Sequence, residues 1–163
     1  MSRKPDPDEA RRFLERYRPA AIHAALLKER LTRLRERATA PPSQKLDGMP
    51  HAKGATADKT ADLAARILDT EQELAAAQEE ADRLRVELRR EINALPTKTE
   101  NDIRRRELLT ARYLDAENWG TICWCLFGQE SDFEDEDRRE SYQRRTFKLH
   151  TEALQSLSKI MEE

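Results

Sequence analysis

The sequence predicts an all-α protein: a long antiparallel, coiled-coil-like helical hairpin followed by a small three-helix domain of helix-turn-helix type. Three observations predict it. Of 163 residues, charged side chains make up 38% and hydrophobic ones 37%, too thin an apolar share for one compact core and the mix expected of extended helices. Only four Gly and seven Pro occur, so runs rich in Ala, Leu, Glu and Arg, all strong helix formers, continue unbroken. Apolar residues also recur at spacings of three and four, the period of a helix face.

Residues 7–38 form the N-terminal helices. Asp6 or Asp8 can cap a short helix carrying Phe13, Leu14 and Tyr17. Pro19 interrupts or restarts it, because the residue before a proline is pushed out of helical geometry. From Ala20 onward Ile22, Leu26, Leu27, Leu31 and Leu34 supply an apolar side. Residues 39–58 collect three prolines and two glycines and predict a flexible loop. Residues 59–95 predict the long coiled-coil helix, with Asp58 as N-cap and Pro96 as stop. Its seam runs through Ile67, Leu74, Ala81, Leu88 and Leu95 at strict sevens. Leu63, Thr70 or Glu71, Ala77 or Gln78, Leu84 and Ile92 fill the positions between. The 20–37 helix folded back across the loop, or a second copy of the chain, can cover that seam, so a homo-oligomer through the hairpin is one expectation. Residues 100–161 predict three shorter helices, at 100–113, 117–127 and 139–160, with Asn118 capping the second and an acidic insertion at 129–140. Trp119, Ile122, Cys123, Leu126 and Phe127 give the second an apolar side; Phe147, Leu149, Leu154, Leu157 and Ile160 do so for the third.

Several chemistries are unsupported by these residues. No run approaches 18 apolar residues, so no membrane span or membrane partner is expected. The opening MSRKPDPDEA has charges but no apolar h-region, which predicts a cytoplasmic protein. Cys123 and Cys125 are too close for a disulfide across a helix turn and have no second pair to complete a zinc site, so both read as reduced packing residues. His23, His51 and His150 fall in different elements, and no nucleophile elbow or HExxH stands anywhere. The run Glu134, Asp135, Glu136 and Asp137 reads as a solvated face. The expectation is a non-enzyme with no catalytic residue, no metal site and no cofactor.

The net charge of -2 averages over opposed patches. Residues 1–40 carry 11 basic and 6 acidic side chains, and residues 130–140 carry 7 acidic and 2 basic. Residues 141–151 carry Arg144, Arg145 and Lys148 with no acid. A recognition helix must bury one face and offer polar and basic groups on the other. On that pattern Gln143, Arg144 and Arg145 are candidates for contact with base edges of double-stranded DNA. Tyr142, Lys148 and His150 are candidates for its backbone. A surface helix that binds another protein fits the same residues.

The order of features resembles an uncharacterised family of phage and prophage proteins from Gram-positive bacteria. Its members pair a helical hairpin with a C-terminal domain similar to sigma-70 region 4. Three pieces carry the likeness. LTRLRERATAPPSQKLDGMPHAKGATADK resembles the family's basic helix, proline turn and Met-Pro, Gly and Asp-Lys stretch, here Met49, Pro50, Gly54, Asp58 and Lys59. LLTARYLDAENWGTICWCLFG resembles the helix that opens the helix-turn-helix, through Arg112, Tyr113, Trp119 and Ile122. YQRRTFKLHTEALQSLSKI resembles the recognition helix, through Leu149, His150, Ala153, Leu154 and Leu157. The likeness implies a phage-type DNA-binding transcriptional regulator that contacts RNA polymerase. The chain departs from the pattern after Gly128, where an acidic stretch replaces a tight turn and would repel phosphates. The alternative is a helical protein-interaction module, an RNA-polymerase-binding or phage packaging-associated factor that does not touch DNA.

Overall fold

The computed structural model describes residues 6–41 and 54–162, the first four of the second stretch through their backbone alone. Among the described residues there are six α-helices and one π turn: α1 (Pro7–Leu14), α2 (Tyr17–Thr39), α3 (Gly54–Asn93), α4 (Glu100–Leu109), the π turn (Thr110–Leu114), α5 (Trp119–Phe127) and α6 (Glu136–Met161). No strand occurs among the described residues, and no described helix is long and apolar enough to cross a membrane.

Local chemistry sets most helix starts. Asp6 is the cap of α1, its carboxylate accepting from the Asp8 N–H at 2.9 Å with Pro7 in the first turn. Thr99 and Asp102 form a reciprocal capping box at α4, satisfying two donors that the first turn leaves without helical partners. Asn118 caps α5 by accepting from the Thr121 N–H at 2.9 Å. Replacing Asn118 with Ala is expected to cost about 1 kcal/mol; Asn118→Asp, which keeps the acceptor, should melt near the parent in a thermal denaturation series.

Three boundaries differ from expectation in part or in full. The break expected at Pro19 falls earlier: α1 ends at Leu14 and the helix restarts at Tyr17, so Pro19 occupies the first turn of α2, where its missing N–H has no helical acceptor to lose. Asp58 is not a cap, because α3 begins at Gly54 and the loop expected at 39–58 ends before it. Residues 42–53 of that loop, including Met49, Pro50 and His51, lie outside the described residues. The acidic insertion expected at 129–140 is only partly a loop. Asp135 caps α6 through the Asp137 N–H at 3.2 Å, and residues 136–140 are helix. Acidic side chains are favourable in that first turn, where the backbone N–H groups concentrate positive charge.

The chain divides into two compact units, residues 20–81 and residues 1–19 together with 82–163. In the first, Leu27 and Leu31 of α2 share a buried cluster with Leu74 and Ala77 of α3, and Ala24 and Ile67 pack against it. Arg35 reaches across to Glu71 at 2.6 Å. The open seam alternatives resolve here: Thr70 and Ala77 are buried, and the Thr70 hydroxyl donates to the Arg66 carbonyl at 2.7 Å, which satisfies it inside the seam.

In the second unit the rest of the seam faces a different partner. Leu88, Ile92 and Leu95 join one core with Ala10 and Leu14 of α1 and with Leu108, Leu109, Ile122, Phe127, Leu149 and Leu154. The sequence pairs the 20–37 helix with 59–95 in the hairpin and predicts a boundary at Pro96. Instead α1 and the last turns of α3 belong to the C-terminal core. Arg105 ties α4 to α6, bonding Asp102 at 3.1 Å and Glu152 at 2.6 Å. Gly128 ends α5 where only glycine fits: a Cβ there would stand 2.5 Å from the Trp124 carbonyl oxygen.

Candidate functional site

All the residues expected to meet DNA lie on α6, around more than one of its sides. The structure separates them into three groups. Gln143, Arg144, Arg145 and Lys148 are exposed. Tyr142 is half-buried, its ring beside Phe127 and Phe133 at 5.2 and 5.6 Å and its hydroxyl donating to Asp132. That bond raises the Tyr142 pKa, with burial adding to the effect. His150 is buried and shares a 2.9 Å hydrogen bond with the Tyr113 hydroxyl. Neither Tyr142 nor His150 is placed to hold a DNA backbone, because packing and an internal partner already use each polar tip.

Three exposed arginines are also committed. Arg144 pairs with Glu140 at 2.5 Å, Arg138 with Asp132 at 3.4 Å and Arg139 with Glu134 at 3.9 Å. The Arg145 guanidinium lies 4.8 Å from the centre of the Phe127 ring, and Arg104 also stacks on that ring at 4.7 Å. Residues 129–148 hold seven acidic and five basic side chains. A phosphate strand approaching α6 would therefore meet local acids along with the arginines, and neutralising phosphates is what supports sequence-independent affinity.

What the face does offer is an apolar cleft of about 200 Å³ between α5 and α6, lined by Trp119, Gly120, Cys123, Gln143, Thr146 and Phe147. Trp119 and Phe147 meet at a centroid distance of 4.8 Å. Phe147 is nonetheless 49% exposed, and Trp124 of α5 is 58% exposed. Cys123 is buried, whereas Cys125 is exposed, not a packing residue as expected. Among the described residues no group of three or more His, Cys, Asp or Glu is arranged to hold a metal ion.

An irregular segment supports the cleft from behind. The π turn sends the Asp115 N–H to the Thr110 carbonyl at 3.1 Å, and Ala116 takes a left-handed conformation at φ 57°. Such wide turns and non-glycine positive φ values concentrate at functional sites. Here they place Arg112 over Trp119 at 4.8 Å and Tyr113 against His150. Trp119 also meets the His150 ring edge-on at 5.0 Å.

Burial pushes the His150 pKa down from 6.5 to about 4, and the nearby Arg11 and Arg112 charges add to the shift. A pKa lower in the folded than in the unfolded chain means that the unfolded chain binds the extra proton. The stability linked to His150 is thus complete above about pH 6.5 and lost as pH falls toward about 4. His150→Gln should show a shallower drop in melting temperature across that window than the parent does. Equal slopes would place the acid sensitivity elsewhere.

No protein-family model, curated protein or solved structure matches this chain. The family likeness rests on the three motifs alone. Two features of the face escaped sequence reasoning. Phe133 is buried and anchors the acidic loop into the core, a role signalled only by its being the one apolar residue in that stretch. Phe147 was assigned to the buried side of α6 and lies at the cleft mouth instead.

Proposed function

We propose that this chain is a non-enzymatic helical protein-interaction module whose docking surface is the α5–α6 face. One observation carries the reading: Phe147 is half exposed at the cleft it lines together with Trp119, and α5, which supplies the other wall, also carries the exposed Trp124. Exposed aromatic side chains at a concavity are the usual anchors of a protein interface, and their exposure on a charged surface calls for a partner. The hairpin of α2 and α3 would serve as the arm of such a module. RNA polymerase or a phage packaging assembly is the kind of partner that the motif likeness suggests.

The test is a photo-crosslinking residue at position 143 in the full chain, irradiated in cell extract. A discrete protein adduct that disappears in Phe147→Asp is expected; absence of any protein adduct overturns the reading. A second reading, a DNA-binding regulator with a sigma-70 region 4-like domain, keeps support from Arg145 and Lys148, which have no acidic partner among the described residues. It expects a gel shift at low salt that weakens when both become Ala. Affinity unchanged by that double substitution, or no affinity at low salt, would sink it.

A further inference from the structure

The helix α2 carries an exposed stripe that the hairpin does not use. Leu26, Arg30, Arg33 and Arg37 follow one another at spacings of four, three and four, so they share one side of the helix; all are exposed, Leu26 to 59%. On α6, Glu136, Glu140, Gln143 and Phe147 repeat the same spacing, and all four are exposed. Each stripe spans about 16 Å at the rise of an α-helix.

Laid antiparallel, the two stripes match position by position in a single register. Leu26 meets Phe147 at the cleft mouth, Arg30 meets the side-chain amide of Gln143, Arg33 meets Glu140 and Arg37 meets Glu136. The register also brings together two intrahelical ion pairs. Glu29 holds Arg33 on α2, and Glu140 holds Arg144 on α6. Glu29 and Arg144 flank opposite edges of that register, so the charge contacts across it are Arg33 with Glu140 and Arg37 with Glu136. Both pairs are solvent-exposed and hold little net energy as they stand, so sharing them across an interface costs little. Arg30, Arg37 and Glu136 have no ion-pair partner among the described residues.

We infer that the α5–α6 face of one copy binds the outer side of α2 from a second copy of this chain. The inference rests on the reading of that face as a protein-docking surface and names its partner. Because the two surfaces differ, each contact is head-to-tail, and a dimer or a larger species equally supports it.

The experiment uses full-length chain in sedimentation velocity over a concentration series at low and high salt. Association at low salt that weakens at high salt is expected. Arg33→Glu with Arg37→Glu should weaken it by at least about ten-fold, as should Glu136→Arg with Glu140→Arg, since each places like charges opposite one another. All four positions are exposed, and circular dichroism verifies that each variant keeps its helix content. Neither variant should associate with itself, while an equimolar mixture of the two should, because the reversed α2 then faces the reversed α6. A parent that stays monomeric at low salt overturns the inference, as does association that survives both reversals or a mixture that does not associate. A monomeric parent whose position 143 still crosslinks to another protein in extract would overturn this inference alone. A parent that associates as described but gives no protein adduct at all would instead count against the docking face itself.

Discussion

Phe127→Ala is expected to lower stability by about 3–5 kcal/mol, the range for removing a large buried aromatic side chain. The ring is 1% exposed, ends α5, touches Tyr142, and lies within stacking distance of both Arg104 and Arg145. Truncation therefore opens a cavity and also strips two guanidinium groups of the aromatic face that accompanies them. Chemical denaturation of the full chain measures the loss. Phe127→Leu, which refills much of the volume but offers no ring, should fall between the two. A Phe127→Ala chain with its midpoint unchanged would mean that the α5–α6 packing contributes nothing to folding.

The second large effect concerns the C-terminal segment in isolation. A fragment of residues 97–163 corresponds to the three-helix domain the sequence predicts, yet it should lack a cooperative melting transition. It loses Leu88 and Ile92 of α3, Leu95 just beyond it, and Ala10 and Leu14 of α1, all of which line the same core as Leu108, Phe127 and Leu154. At roughly 2–5 kcal/mol for each large aliphatic side chain removed from a core, the deficit is comparable to the whole stability of about 5–15 kcal/mol that domains of this kind possess. Thermal melts of fragment and full chain, followed by far-UV circular dichroism, would decide it. A sharp transition in the fragment would restore Pro96 as the domain boundary.

That boundary shows where sequence patterns stop being informative. The seam of α3 was legible because a heptad fixes which side chains share a face, and Ile67, Leu74, Ala81, Leu84, Leu88, Ile92 and Leu95 are all buried or half-buried. What the face packs against is not encoded by its period. One unbroken seam meets α2 in one unit and α1 with the C-terminal helices in the other. Caps at Asp6 and Asn118 were legible for a similar reason, since a short oxygen-bearing side chain before an apolar run has a local role.

The candidate site was less legible. Arg144 and Arg145 follow an acidic block in the sequence, but only three-dimensional placement shows that the arginines around them are paired with it. His150 shared its spacing with residues expected to meet phosphates, and burial turned it inward toward Tyr113. Gln143 and Phe147 lie four residues apart, and the apolar character of Phe147 alone argued for the inside. Its position on the row of Glu136 and Glu140, which no core tolerates, was the available counter-signal.

The π turn at Thr110–Leu114 has a consequence for how this protein tolerates change in length. Its hydrogen bond spans five residues where an α-helix spans four, so the segment accommodates one residue more than regular winding would. Losing a single codon there would return the segment to α-helical pitch and turn the side chains inside it by up to about 100°. Tyr113 would leave His150, and Arg112 would leave Trp119, without any of those four residues being altered. An in-frame deletion of one residue in this turn should thus damage the wall of the cleft more than most substitutions on its surface.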